Sequence, residues 1–174
     1  MELKNSALIV IDLQAGIKRI AAQAYPLSFD EVVKNNRKLI EVFAKENAPV
    51  YLVSVQPKVF PGPVRRAFGK LLLADLIHKY PKIRELIKFG PSAFSKSDYG
   101  LGRELKENGI DRLFITGVST ENGVLKTALD AHAAGFEVRI IKGATASRTA
   151  DKYNQVIEKD LPAIGSFEEM SAFE

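Results

Sequence analysis

The stretch Leu8-Ile9-Val10-Ile11 is apolar at every position and closes on one carboxylate, Asp12. A strand with one face in water alternates apolar and polar residues, whereas a strand buried on both faces does not. The run 8–13 therefore needs cover on two sides, which a parallel sheet between layers of helices provides. Residues 50–55 (VYLVSV), 112–116 (RLFIT) and 136–141 repeat the β-rich pattern. Helical spacing separates them. Asp30 stands as the N-cap of a helix in which Val32, Val33, Leu39, Ile40 and Phe43 recur to about Glu46, where Asn47-Ala48-Pro49 breaks it. Strand, helix and strand at this spacing form a βαβ unit.

The rest of the chain continues the alternation. Residues 56–70 hold Pro57, Pro61, Pro63 and two glycines and read as a loop; 71–79 reads as a short helix stopped by Pro81. Residues 85–89 fit a helix or a short strand equally well. A helix over 97–108 stops at Gly109, and 117–122 is a tight polar loop. A helix over 123–134 carries Val124, Thr127, Ala128 and Ala131 on one face and ends at Gly135. The last helix spans 150–159, before Pro162. The expected fold is a single-domain α/β sandwich over residues 1–174: three layers around a central parallel sheet, Rossmann-like in plan.

Composition narrows the function. At 174 residues, 46% hydrophobic and 26% charged, the chain suits one globular domain and excludes a disordered one. No apolar run approaches the ~20 residues of a membrane span. The apolar N-terminal stretch lacks a small-residue cleavage site, so it reads as a strand of a cytoplasmic protein and not as a signal peptide. The net charge of +4 is well mixed. Its densest patch, 58–70 with Arg65, Arg66 and Lys70, is too short for a nucleic-acid footprint. A solvated loop is the favoured reading there, and contacts to a small anionic substrate are the alternative. The chain has no cysteine, which excludes disulfides, zinc–thiolate sites, iron–sulfur clusters and a thiol nucleophile.

Ligands of parallel α/β sheets bind outside the carboxyl ends of the strands. Three such ends carry polar or flexible residues: Asp12 with Gln14, Gln56, and the run from Gly117 through Ser119, Thr120 and Glu121 to Gly123, which leads into a helix N-terminus. Asp12 is as readily functional as a turn carboxylate, while the loop alone reads as an ordinary β–α connection. Lys88, in Leu86-Ile87-Lys88-Phe89, reads as a snorkelling surface lysine; if 85–89 is a strand, it lies near Asp12 and pairs with it. His78 and His132 fall on predicted helices without partners at metal-ligand spacing.

Three segments in order resemble the isochorismatase-like hydrolase family, which includes nicotinamidases and other cysteine amidohydrolases. They are Leu8-Ile9-Val10-Ile11-Asp12-Leu13-Gln14; Ile87-Lys88 with Ser92-Ala93-Phe94; and Gly117-Val118-Ser119-Thr120-Glu121-Asn122-Gly123-Val124, continuing into Lys126-Thr127-Ala128-Leu129-Asp130-Ala131. The resemblance implies an isochorismatase-like fold, a strand at 85–89 and a non-proline cis bond at Val118–Ser119. Of the family's Asp–Lys–Cys triad it transfers Asp12 and Lys88, and it puts Gly123 at the nucleophile position. It further implies substrate contacts from Gln14, Ile17, Gln56, Phe94, Val118, Ser119 and Thr120.

The aspartate and histidines that bind metal in nicotinamidases have no counterpart in Ser54-Val55-Gln56-Pro57-Lys58, so neither metal nor other cofactor is expected. That segment resembles the Gln-Pro-Lys of true isochorismatases, which also carry glycine for cysteine. The implied activity is metal- and thiol-independent hydrolysis of a small molecule, an anionic one being favoured, by Asp-catalysed vinyl-ether cleavage. Ile17 stands where isochorismatases have an aromatic residue, Pro91 where they have Tyr, and Ser119 and Glu121 where they have Tyr and His, so the pocket is shaped differently. The alternative is a non-catalytic binding protein derived from a cysteine amidohydrolase; an amidohydrolase using bound water ranks last. The resemblance also implies a homo-oligomer, dimer or tetramer, with no nucleic-acid or membrane partner.

Overall fold

A computed structural model describes residues 2–21, 23–95 and 99–173. Six strands form one parallel sheet: β1 (Ser6–Ile11), β2 (Val50–Val55), β3 (Ile83–Lys88), β4 (Arg112–Val118), β5 (Glu137–Ala146) and β6 (Ser166–Glu169). Their order is β3-β2-β1-β4-β5-β6. The helices are α1 (Ala15–Ile20), α2 (Phe29–Lys45), α3 (Gly62–Phe68), α4 (Asp75–Lys79), α5 (Leu101–Glu107), α6 (Leu125–Ala133) and α7 (Ala150–Gln155). This is the expected α/β sandwich. Among the described residues no helix is long and apolar enough to cross a membrane.

The uninterrupted apolar character of β1 has a direct physical use. Leu8 and Val10 enter one core, with Val32, Leu39, Ile40 and Phe43 of α2. Ile9 and Ile11 enter the opposite core, with Leu101 and Leu105 of α5 and Ala128 and Ala131 of α6. Burying a large aliphatic side chain stabilises a fold by about 1.5–3 kcal/mol, so a polar residue at any of these positions would forfeit one layer's cover.

Several boundaries differ from the sequence expectation. Ser28, not Asp30, caps α2: Ser28 and Glu31 form a reciprocal capping box, while Asp30 pairs with Lys18 at 2.6 Å. The proline-rich loop 56–70 contains α3, with Pro61 at its N-cap and Pro63 in its first turn, where the missing N–H costs nothing. The 71–79 helix shrinks to α4 because Leu71 bridges Gln14 and the Leu72 N–H bonds the Leu13 carbonyl. Residues 85–88 belong to strand β3, which begins at Ile83 and ends at Lys88, leaving Phe89 outside it. The predicted start of the next helix at Ser97 lies outside the described residues, and α5 begins at Leu101.

Further along, β4 runs on to Val118, a π turn over Thr120–Val124 precedes α6, and another, Val156–Asp160, follows a shortened α7. Strand β5 extends to Ala146 through a bulge: Ile115 faces Ile140, but Gly117 faces Thr145. Helix α1 and strand β6 were not expected.

Candidate functional site

At the sheet centre, β1 and β4 are neighbours, and the chain leaves them in opposite directions, toward β3 on one side and β6 on the other. A crevice opens at the carboxyl ends of such a pair. Asp12 stands there, the first residue after β1, with φ +55° and its N–H bonded to the Val53 carbonyl at 2.9 Å. Gly117 lets β4 pass close by: its φ is +100°, and a Cβ would fall 2.1 Å from the Ile11 carbonyl oxygen. Any side chain at 117 would force the two strand ends apart.

Lys88 ends β3, two strands from β1. Neighbouring strands lie about 4.8 Å apart, so its side chain must extend across the end of β2 to reach Asp12. It does: Nζ lies 2.9 Å from Asp12 Oδ2 and donates to the Pro91 carbonyl at 2.5 Å. Lys88 is 1% exposed and Asp12 6% exposed, which decides against a snorkelling surface lysine. The third position converges on the same pair. A Cβ built on Gly123 would sit 3.2 Å from Lys88 Nζ and 3.3 Å from Asp12 Oδ2. The Val118–Ser119 peptide at the entrance to this turn is cis.

Burial pushes the Asp12 carboxyl up to about 6, while the charge and hydrogen bond of Lys88 hold it below what burial alone would give. Near neutrality both protonation states are therefore within reach. Oδ2 is engaged by Lys88, whereas Oδ1 is buried without a hydrogen-bond partner. A carboxyl in this state can give a proton to, or take one from, a molecule placed against Oδ1.

Beside Asp12 lies a cavity of about 200 Å³. Ile17, Val118, Ser119 and Gly123 line it. Four other anticipated contact residues lie outside this lining. Gln14 is fully buried and clamps the backbone: Nε2 donates to the Val55 and Phe68 carbonyls at 2.9 and 3.0 Å, and Oε1 accepts from the Val55 N–H at 2.7 Å. Gln56 packs against Gly69, and its Nε2 is 3.5 Å from Ser54 Oγ. Phe94 meets Phe136 edge-on, and Thr120 shares a 2.8 Å hydrogen bond with Thr145.

Gln14 thus supports the site through β2 and α3. Gln14→Ala removes three hydrogen bonds to the backbone of Val55 and Phe68, for an expected loss of roughly 2–4 kcal/mol in urea unfolding. A loss below about 1 kcal/mol would show that water replaces the clamp.

Arg65, Arg66 and Lys70 are likewise absent from the cavity lining, which instead includes Asn122, Ser147 and Arg148. Ser147 and Arg148 follow β5. The bulge at Gly143 (φ +83°) carries β5 five residues beyond the apolar run 136–141, so the strand ends well past the segment whose apolar pattern marks it. A polar Ser-Arg pair just before the α7 N-cap Thr149 was the available signal.

After β2, Gln56-Pro57-Lys58 offers an amide and an ammonium lying 4.3 Å from the Phe89 ring centroid, a donor set that does not fit a metal cation. Another hollow, about 290 Å³, lies at the amino ends of the strands among Asn5, Tyr51, Lys82, Arg84 and Glu104, far from Asp12 in the sheet. Its tyrosine and carboxylate are engaged with each other, Tyr51 Oη donating to Glu104 at 2.7 Å.

Comparison with known proteins gives consistent relatives. Residues 6–166 match the isochorismatase domain. The uncharacterized isochorismatase family protein YecD of Escherichia coli O157:H7 is 32% identical over 182 residues, covering 94% of this chain and 92% of that protein. A solved isochorismatase family protein from Burkholderia thailandensis superposes with a TM-score of 0.82 at 25% identity, over 96% of this chain and 92% of the other. Nicotinamidase PncA from Bacillus subtilis shares the fold, with a TM-score of 0.76 at 23% identity over 94% and 98% of the two chains.

Proposed function

The chain belongs to the isochorismatase family, and from that premise we propose that it hydrolyses a small anionic molecule through Asp12, using neither thiol nor metal. The observation that carries this reading is the buried Asp12 carboxyl at the edge of the cavity, with one oxygen on Lys88 and the other without a hydrogen-bond partner; burial pushes its pKa up to about 6. A carboxyl poised near neutrality suits proton transfer better than one at its ordinary value.

Vinyl-ether hydrolysis uses this group without a protein nucleophile, so Gly123 is no defect. Neutral Asp12 gives its proton to the terminal enol-ether carbon, and the ether carbon becomes an oxocarbenium ion. Water adds to that carbon and returns a proton to the Asp12 carboxylate. The hemiketal then collapses, breaking the bond to the ether oxygen and releasing a ketone and an alcohol. When the enol ether carries a carboxylate, as in an enolpyruvyl group, the ketone is pyruvate.

Pyruvate release from isochorismate by the purified protein, with Asp12→Ala beside it, tests the proposal. Release that vanishes in the variant is the expected result. Because the acid form is required, kcat/KM falls as pH rises through about 6. A substrate carboxylate beside Asp12 disfavours its anion, so kcat declines at a higher pH than kcat/KM. Absence of pyruvate from any enolpyruvyl ether would reject this mechanism. The second reading, a binding protein that lost a nucleophile, is favoured by one observation: the Cβ direction at Gly123 points at the Asp12–Lys88 pair.

A further inference from the structure

We propose that Arg148 binds the anionic group of the ligand in the Asp12 cavity and that Glu121 is the positioning residue that holds it there. The inference rests on the function proposed above and names the group that would select the substrate.

An anion entering this cavity needs a cation, and the obvious one is committed. Lys88 is buried and already bonded to Asp12 and to the Pro91 carbonyl. Among the described residues lining the cavity, Arg148 is the one that carries a positive charge. Its side chain is 65% exposed, and its Nε lies 3.3 Å from Glu121 Oε1. That contact engages Nε; the guanidinium carries four further N–H donors on its two Nη atoms, in the planar fork suited to a carboxylate.

Two buried polar groups make the arrangement more than an exposed arginine. The Glu121 side chain is only 13% exposed, and neither carboxylate oxygen has a hydrogen bond. Such a carboxylate is costly unless a cation stays beside it, so it restrains Arg148 at Nε. Ser147, 1% exposed, lines the same cavity, and its hydroxyl has no hydrogen-bond partner. It supplies a further donor next to the guanidinium.

Ile17, Ala21, Ala24 and Phe29 give the cavity most of its apolar surface, beside the amide of Gln23. The ligand class is therefore a small carboxylate with an apolar body. Its anion lies at Arg148 and Ser147, its body lies on the Ile17 and Phe29 side, and its reacting end meets Asp12 Oδ1.

Titration of the whole protein with benzoate and with benzamide, its uncharged counterpart, followed by NMR at about pH 7.5 where benzoate is ionised, tests this. The parent should bind benzoate at least about tenfold more tightly, the scale of one charge-assisted contact. Arg148→Gln should erase that preference while leaving benzamide affinity unchanged, and Arg148→Lys should keep part of it. Glu121→Gln should weaken benzoate without affecting benzamide, which a merely structural role would not do.

Equal affinities in the parent, a preference that survives Arg148→Gln, or no saturable binding of benzoate overturns the proposal. Turnover does not enter the readout. A benzoate preference with no hydrolysis of any enol ether would reject the catalytic reading alone, and hydrolysis without the preference would reject the role of Arg148 alone.

Discussion

At about pH 8 the Lys88→Met protein is expected to be less stable than the parent by about 3–5 kcal/mol, because the substitution leaves a buried carboxylate without its cation. The deficit is expected to shrink at about pH 5. The folded-state pKa of Asp12 is raised, from 3.8 to about 6. Its contribution to stability is thus complete below 3.8 and is lost as pH rises through about 6. Lys88 opposes that rise, so removing its charge moves the Asp12 pKa still higher and extends the loss to higher pH. The two stability curves should therefore diverge above about pH 6. A smaller cost, the lost donor to the Pro91 carbonyl, persists at every pH. Urea midpoints across the pH range check the divergence, and carbon-13 titration of the Asp12 carboxyl checks its cause. A deficit that is the same at both pH values would show that packing, not charge, holds Lys88 in place.

Gly123→Cys is expected to create a reactive thiol in a chain that has no other. The new Cβ falls 3.2 Å from the Lys88 ammonium, which favours the thiolate, and 3.3 Å from the Asp12 carboxylate, which can accept the thiol proton. Alkylation by iodoacetamide at about pH 7 should exceed that of a free cysteine peptide by at least about tenfold. The substitution has a structural cost, since the same Cβ meets Ile11 Cγ2 at 2.9 Å and Ile11 must shift, for roughly 1–3 kcal/mol. Amide hydrolysis appearing in this variant, with no enol-ether hydrolysis in the parent, would favour the binding-protein reading. A slow, ordinary thiol would mean that the side chain at 123 does not address the ion pair.

The central strands were legible in the sequence because their burial is two-sided. β1 and β2 are apolar nearly throughout, and β2 lies at the residues expected. The outer strands were not. β3 sits at the sheet edge and alternates irregularly, with Ile87 exposed and Lys88 buried, so no period separates strand from helix. β6, Ser-Phe-Glu-Glu, is half exposed and carries no apolar run at all. In the site, the pairing of Lys88 with Asp12 required β3 to be a strand, which periodicity alone left open and family resemblance implied. Arg148 stayed hidden because the β5 bulge moves the strand end away from the apolar segment that announces it. Gln14 and Thr120 show the converse limit. A polar residue beside a catalytic-looking aspartate can be spent entirely on backbone or neighbouring hydroxyl groups.

The reach of Lys88 across the end of β2 has a mechanical side. An edge strand is ordinarily the first part of a sheet to fray, yet the last residue of β3 is anchored at the sheet's middle by one ammonium–carboxylate bond. That bond works as a clasp on the sheet's border. Breaking the acid–base pair therefore removes one of the ties that hold the border, beside its ladder with β2. A molecule that changes the charge of Asp12 thereby changes how tightly the outermost strand is fastened, at a distance from anything it touches.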